Sequence, residues 1–339
     1  MMGIKFIDEL NGIRALSIGL VILSHWFGFL TFGINTGDAG VTIFFVLSGF
    51  LITRILLNEK KKINLGLVTT KSYFKNFYAR RFLRIFPIYY LLLFTLLIFD
   101  RISIAGSFPW HFTYLSNFYF AFVLNGWQTK LAHLWSLSVE EQFYIFWPLL
   151  IFFIPNKNIK VVILVAILTG ILFRCATASY SEMYKYLPFG CLDGLGTGAL
   201  LAYYENRVTS TQVKKLNLYL NLLICFSIVL VLLISLISNQ VIKDIIERIN
   251  FTLLASLLII KISKTNSWLN KILKLRFILF IGTISYGLYL YHMFIPFYVI
   301  DKIPFMFNYL LRFTLLLGVA TVSYYLIEKP FLNWKSKFR

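Results

Sequence analysis

The chain has 339 residues, of which 59% are hydrophobic and only 14% are charged. Soluble domains carry about 25% charged residues, so this composition excludes an ordinary soluble protein and indicates helices that face lipid. The formal net charge is +19, but the Lys and Arg residues cluster in alternate gaps between apolar runs. That distribution is the positive-inside pattern of membrane proteins, so we expect no nucleic-acid partner.

Stretches of about 20 apolar residues predict membrane-spanning helices. About ten such stretches predict an all-α, polytopic transmembrane helix bundle, and the charge bias places both termini in the cytoplasm. An aromatic stretch at 108–127 is interrupted by Pro and polar residues, which predicts an interfacial or re-entrant segment instead. The predicted spans are 10–31, 39–58, 85–104, 133–154, 159–178, 186–205, 216–238, 243–263, 277–299 and 306–327.

The chain shows no linker, internal repeat or low-complexity segment between these spans. We therefore expect one membrane domain over residues 1–339, without an appended soluble domain. Ionisable side chains within the bilayer are costly, so their positions are candidate functional sites.

The first predicted span carries Arg14 near its cytoplasmic end and His25 in its outer half. Eleven residues separate them, which returns to nearly the same helix face about 16 Å further along the axis. One face of this helix therefore presents a cation toward the inside and an imidazole toward the outside. The alternative is an arginine that reaches the membrane surface and a histidine bonded to a neighbouring helix.

The second span and the loop that follows it add candidate anion-binding residues. Ser48 lies near the middle of the span and Arg54 near its inner end, although small residues here also favour close helix packing. Arg81 and Arg84 are three residues apart before the third span, so they share a helix face and suit phosphate recognition. Ordinary anchoring by positive charge is the alternative for these arginines.

The fourth span carries the adjacent acids Glu140 and Glu141, which cannot share one helix face. The ninth span carries Ser285, Tyr289 and His292 at spacings of four and three residues, so these three share a face. The alternatives are a structural ion pair for the acids and an aromatic belt at the membrane surface for the second group.

The predicted topology puts His25, Glu140 and His292 in the outer half of the bilayer. It puts the arginines at the inner side. This predicts a polar passage with an anion-binding inner mouth and acid–base groups toward the outside, where a carboxylate would orient a histidine base. No metal site is expected, because the sequence shows no metal-ligand spacing.

Six ordered motifs carry a resemblance to a known family. The chain resembles the acyltransferase-3 family of membrane acyltransferases, and the match covers nearly the whole chain, from Asp8 to Pro330. The motifs are NGIRALSIGLVILSH, VTIFFVLSGFLI, RRFLRIFP, HLWSLSVEEQFY, SYGLYLYH and the closing IEKP.

The resemblance implies transfer of acyl groups, usually acetyl from cytoplasmic acetyl-coenzyme A, to carbohydrates of the bacterial cell envelope. It therefore implies a multi-pass protein of the plasma or inner membrane, in contact with lipid and with a cell-surface glycan or lipid-linked oligosaccharide. The acceptor sugar, the acyl group and the oligomeric state stay open. Some relatives carry an extracytoplasmic hydrolase-like domain, which we do not expect here.

The resemblance also implies residue roles. The family's arginine and histidine on the first span correspond to Arg14 and His25, and its paired arginines to Arg81 and Arg84. The acid of its SVEEQF-like motif corresponds to Glu140, less directly to Glu141. Its acid near the C-terminus corresponds to Glu328.

The resulting hypothesis is direct O-acyl transfer. The arginines hold the coenzyme A phosphates, and His25 removes the proton of a sugar hydroxyl while Glu140 positions or charges His25. A route through an acyl-enzyme remains open at this point. A transporter or flippase also fits ten spans and a charged passage, and a structural or sensory protein would tolerate replacement of His25.

Overall fold

The computed structural model describes residues 7–128, 130–205, 207–296 and 304–338. Within these ranges all regular secondary structure is helical and there are no strands, so the all-α prediction is confirmed. The helices up to residue 205 are α1 (Glu9–Phe27), α2 (Thr36–Asn64), α3 (Thr70–Phe99), α4 (Arg101–Ile104), α5 (Phe108–Phe112), α6 (Ser116–Phe118), α7 (Leu134–Phe153), α8 (Ile159–Thr177) and α9 (Leu192–Tyr204).

The second half of the chain contains eight further α-helices in its described part, together with a π-helical turn at Tyr324–Glu328. These helices are α10 (Ser210–Lys215), α11 (Asn217–Ser235), α12 (Gln240–Lys264), α13 (Trp268–Leu273), α14 (Arg276–Thr283), α15 (Ser285–Tyr291), α16 (Phe305–Ser323) and α17 (Lys329–Trp334).

Six helical stretches in the described part of the chain are long and apolar enough to cross a membrane. The prediction of a polytopic membrane protein is therefore supported, whereas the count of about ten spans and the cytoplasmic location of the termini stay predictions. The six stretches are Glu9–Leu30, Thr36–Asn64, Thr70–Phe99, Ile159–Thr177, Asn217–Ser235 and Met306–Trp334.

The other predicted spans differ from a simple apolar helix in identifiable ways. The predicted span 186–205 begins with short 3-10 turns and is α-helical only in α9, while 277–299 is divided between α14 and α15. Residues 297–299 of the latter lie outside the described residues. The helices α7 and α12 are long but carry acidic or basic side chains within their length.

The segment 108–127 forms three short pieces, namely α5, α6 and a π-helical stretch at Tyr119–Leu124. Pro109 stands in the first turn of α5, and Asn125 ends the π-helical stretch in a left-handed conformation. None of these pieces is long enough to cross a bilayer, in agreement with the prediction that this segment is not a span.

The helices group into two compact units. The first unit comprises the residues up to Lys61 and Val139–Thr283, and the second comprises Lys62–Ser138 and the residues from Ile284 onward. The helices α2 and α7 each contribute to both units.

Glycines allow very close helix contacts in the first unit. A Cβ atom on Gly49 of α2 would lie 1.9 Å from the carbonyl oxygen of Leu195 in α9, and one on Gly198 would lie 2.0 Å from the carbonyl oxygen of Val46. Real Cβ atoms do not approach so closely, so these positions require glycine. Small residues at helix contacts are the usual means of packing within a membrane, where no hydrophobic effect drives helices together.

A buried ion pair crosses the same group of helices. The guanidinium of Arg248 in α12 donates from Nε and Nη2 to the carboxylate of Asp193 in α9, at 2.8 Å each, and from Nη1 to Thr42 Oγ1 of α2. The bidentate geometry and the third acceptor satisfy most of the arginine's donors, which a charge buried in a membrane protein needs. This pair therefore fixes α2, α9 and α12 to one another.

In the second unit, aromatic hydroxyls join α3 to its neighbours. Tyr89 donates to the carbonyl oxygen of His111 at 2.9 Å, and Tyr286 of α15 donates to that of Ile85 at 3.1 Å. Near the end of the chain, Arg80 Nε donates to the carbonyl oxygen of Phe338 at 2.6 Å. These contacts hold α15 and the C-terminal segment against α3.

Candidate active site

The first unit positions His25 through the contact between α1 and α2. A Cβ atom on Gly37 would lie 2.9 Å from Ser24 Oγ, and one on Gly40 would lie 2.5 Å from the carbonyl oxygen of Ser17. The α2 positions increase as the α1 positions decrease, so the two helices run antiparallel. The imidazole of His25, next to Ser24, is exposed on the molecular surface at the end of α1.

Glu140 of α7 accepts a hydrogen bond from α2. Ser48 Oγ donates to Glu140 Oε1 at 2.6 Å and also exchanges a hydrogen bond with the hydroxyl of Tyr144 at 2.8 Å. Ser48 is therefore a polar partner of the carboxylate as well as a small residue in a packed helix. The side chain of Glu141 is buried.

Glu140 and His25 meet α2 at different heights along its axis. Ser48 stands eleven residues beyond Gly37, which meets Ser24. Eleven residues of helix span about 16 Å, and the antiparallel partner of Ser48 on α1 is accordingly near Arg14. The sequence interpretation placed Glu140 beside His25, whereas the bond to Ser48 brings its carboxylate toward the level of Arg14.

The two predicted anion-binding arginines of the first unit already have polar contacts. Arg14 Nη1 donates to Asn11 Oδ1 at 2.7 Å, one turn earlier in α1. Arg54 Nε lies 2.6 Å from Glu205 Oε2, and the side chains of this ion pair are each 12% exposed. The charge of Arg54 is thus balanced within the protein.

The second unit gathers the polar residues of α15 around the start of α7. The hydroxyl of Tyr289 lies 2.6 Å from Ser136 Oγ and donates to the carbonyl oxygen of His133 at 2.8 Å. The rings of His133 and His292 are 4.9 Å apart between centroids. Ser285 is buried on the same helix.

Backbone carbonyls fix the ring tautomers of these two histidines. His292 Nδ1 lies 2.6 Å from the carbonyl oxygen of Tyr289, and His133 Nε2 lies 3.2 Å from that of Leu290. A carbonyl oxygen only accepts, so both of these nitrogens carry hydrogen. In the neutral rings the lone pairs then lie on His292 Nε2 and His133 Nδ1.

Glu328 lies at the other end of α15, in the π-helical turn that follows α16. Its Oε1 atom is buried and has no hydrogen-bond partner in the described part of the chain, and it lies 3.4 Å from the position of a Cβ atom on Gly287. The guanidinium of Arg84 acts on this carboxyl electrostatically. π-Helical turns are frequent at functional sites because they redirect a side chain out of the regular helix.

The described contact of Arg81 is with an aromatic ring. Its guanidinium lies over the ring of Phe77 at 5.9 Å from the centroid. The predicted pair therefore lies on one helix, and the described contacts of its two members differ.

The candidate residues divide between the two units. The first holds His25, Glu140, Glu141, Arg14, Ser48 and Arg54, and the second holds His292, Ser285, Tyr289, Arg81, Arg84 and Glu328. Within the units, the structure brings together Ser48 with Glu140, and Tyr289 with His292.

Sequence reasoning missed several polar partners. His133 and Ser136 begin the HLWSLSVEEQFY motif and lie four to seven residues before Glu140, so that motif gave a signal for them. Glu205 has a helix-end position with no such signal. The α2 glycines Gly37 and Gly40 set the height of α2 against α1, and their contacts are seen only in the structure.

A further histidine, His111, is fully buried outside the candidate spans. Burial lowers its pKa to about 4, so this ring is neutral at physiological pH. Its Nε2 lies 3.5 Å from Gln128 Oε1. In the described part of the chain, no group of three or more His, Cys, Asp or Glu side chains is placed to hold a metal ion.

Comparison with protein families matches residues 7–329 to a family described as the Acyltransferase domain, Acyl_transf_3. The chain belongs to this acyltransferase family. The resemblance predicted from the six motifs is thereby confirmed, and so is the prediction of an acyltransferase at the level of the family. No solved structure matches the chain.

Similar proteins include the peptidoglycan O-acetyltransferase OatA of Listeria monocytogenes, which is 30% identical over 99% of this chain and 58% of its own length. The putative peptidoglycan O-acetyltransferase YrhL of Bacillus subtilis is 29% identical over 96% of this chain and 55% of its own length. A putative O-acetyltransferase of Staphylococcus aureus is 28% identical over 98% of this chain and 60% of its own length. The acyltransferase chain thus spans a little over half of these relatives.

Proposed function

We propose that this acyltransferase moves an acetyl or similar short acyl group from cytoplasmic acyl-coenzyme A to a hydroxyl of a cell-surface glycan. The match of residues 7–329 to the acyltransferase family carries the proposal. Peptidoglycan is the first acceptor to test, because two similar proteins are named for it. A lipid-linked precursor of a surface polysaccharide is a second form of the same acceptor.

The proposed location is the bacterial cell membrane, crossed several times. Six apolar helices of sufficient length support it, as does the clustering of Lys and Arg in alternate loops. In this arrangement the donor comes from the side that carries the basic loops, and the glycan lies on the other side.

In the proposal, arginines hold the phosphates of the donor. Arg81 and Arg84 on α3 are half-buried, as is Arg14 on α1, and guanidinium groups bind phosphate oxygens through two parallel hydrogen bonds. Arg54 and Ser48 are bonded to Glu205 and Glu140, so we place them as supports of the site.

The proposed chemistry is direct attack of a hydroxyl on a thioester. His25 removes the hydroxyl proton, the oxygen bonds to the acyl carbon, and the carbon–sulfur bond breaks. The proton is returned to the thiolate, which leaves as free coenzyme A. His292 is the second candidate imidazole, and its neutral tautomer presents a lone pair at Nε2.

The test is expression of the native chain and of His25→Ala in a host that lacks the gene. O-acetyl groups on purified peptidoglycan and other surface glycans are then measured by NMR. The proposal expects O-acetylation with the native chain and at least a tenfold loss with the variant at equal membrane abundance. O-acetylation that is absent with the native chain on every surface glycan would contradict the proposed function.

A further inference from the structure

A histidine that removes a proton becomes positively charged, and a nearby carboxylate stabilises that charge. Sequence reasoning assigned this role to Glu140. The structure instead bonds Glu140 to Ser48, about 16 Å along α2 from the level of Ser24 and His25. The question is which carboxylate lies at the level of His25 itself.

The first turn of α2 supplies one. Gly37 packs so closely on Ser24 that a Cβ atom added at position 37 would lie 3.2 Å from the Cβ atom of Ser24. Asp38 and His25 are the next residues along their antiparallel helices, so they lie on opposite sides of this contact, separated by only about 3 Å along the helix axes. The carboxylate of Asp38 acts electrostatically on the imidazole of His25.

Asn35 fixes the direction of that carboxylate. Its side-chain Nδ2 donates to Asp38 Oδ2 at 2.9 Å, and its Oδ1 accepts from the backbone N–H of Asp38 at 3.1 Å. These two bonds close a small ring at the start of α2. One oxygen of Asp38 is thereby held against Asn35.

The loop that leads into α2 is held in turn by α12. Lys243 Nζ donates to the carbonyl oxygen of Gly33 at 2.7 Å, and the carboxyl of Glu247 accepts from the backbone N–H of Asn35. Gly33 has a φ of +78°, a conformation that suits glycine. The bonds at Gly33 and Asn35 thus hold the loop that positions Asp38.

We propose that Asp38 is the positioning residue of His25: its carboxylate, oriented by Asn35, faces the imidazole and stabilises the charge that forms there when the acceptor hydroxyl loses its proton. This inference rests on the proposed function. It replaces Glu140 with Asp38 as the acidic partner of the base and leaves Glu140 in a separate site with Ser48 and Tyr144.

An acid in the first turn of a helix also stabilises that helix by about 0.3–1 kcal/mol, whatever it faces. The experiment therefore separates catalysis from folding. Membrane vesicles that contain the native chain, Asp38→Asn, Asp38→Glu or Glu182→Gln receive labelled acetyl-coenzyme A and peptidoglycan fragments. The initial rate of ester formation is measured against the concentration of acetyl-coenzyme A.

Glu182→Gln is the matched control, because Glu182 is an exposed acid in the first turn of a different helix of the first unit, the short 3-10 helix Glu182–Tyr186. It is expected to keep the native rate. Asp38→Asn is expected to lower the maximal rate at least tenfold with an unchanged KM for acetyl-coenzyme A and an unchanged unfolding midpoint. Asp38→Glu is expected to recover at least a third of the native rate.

Two results would overturn the inference alone. One is an Asp38→Asn rate within twofold of the native rate. The other is a loss of rate that follows the loss of folded protein in the membrane. Absence of ester formation by the native chain would instead remove the proposed function, and the inference with it.

Discussion

At the scale of single residues, the hydrogen bond from Ser48 to Glu140 shows how a carboxylate is kept within an apolar bundle. An acidic group away from water needs donors, and Ser48 supplies one at 2.6 Å. Ser48 also bonds to Tyr144, so one small hydroxyl links α2 to two positions of α7.

Replacement of this hydroxyl tests the link. Ser48→Ala is expected to destabilise the protein by about 1.5–3 kcal/mol, the usual value for a hydrogen bond to a charged group. The measurement is the midpoint of thermal unfolding in detergent, which should fall.

Ser227→Ala is the matched control for that measurement. Ser227 is another helical serine of the first unit, fully buried where Ser48 is half-buried, but its Oγ has no hydrogen-bond partner among the described residues. The control should leave the midpoint unchanged or raise it slightly. Equal midpoints for the two variants would contradict the assigned bond.

The sequence predicted which residues are polar within the bundle but not which of them meet. The eleven-residue spacing of Arg14 and His25 follows from helix geometry, because both lie on one helix. The partner of Glu140 depends on the height of α7 against α2, which no local pattern encodes. Asp38 was not recognised because an acid at a helix start has an ordinary structural explanation.

At the scale of helices, the close contacts of α2 and α9 depend on two glycines. The Cβ atom of an alanine at Gly49 would approach a backbone oxygen of α9 to 1.9 Å, and backbone does not move aside cheaply. Overpacking of this kind costs about 1–3 kcal/mol.

Gly49→Ala is therefore expected to lower the unfolding midpoint and the amount of folded protein in the membrane. Gly318→Ala provides the comparison, since this glycine of α16 has nothing within 4 Å of its Cβ position. Alanine favours a helix by about 0.5–1 kcal/mol over glycine, so the comparison variant should be as stable as the native chain or more so. A stable Gly49→Ala protein would show that α2 and α9 are not in this contact.

The predicted helices agree with the structure where apolar runs are long and uninterrupted, as in α8 and α11. Agreement is poorer for the predicted span 277–299, which a break at Ile284 divides into α14 and α15. Hydropathy averaged over a window does not detect such a break, because the stretches on both sides are mostly apolar even though Thr283 and Ser285 flank Ile284. Contacts of α15 with α3 and α16 determine its course instead.

At the scale of the whole molecule, the candidate residues come from two compact units that are each built from distant parts of the sequence. The family match covers both units, since it extends over residues 7–329. A catalytic site in this family therefore has to be tested in the full chain, with the donor and the acceptor supplied on the sides that the charge pattern predicts.

The most direct test of the central claim is transfer of label across the membrane. Labelled acetyl-coenzyme A is supplied only to the face that carries the basic loops of sealed vesicles, and base-labile acetate is counted on glycan at the opposite face. The account predicts labelled ester with the native chain and at least tenfold less with His25→Ala. Equal labelling by the two proteins would contradict the role of His25, and no labelling by either would contradict the acyltransferase function itself.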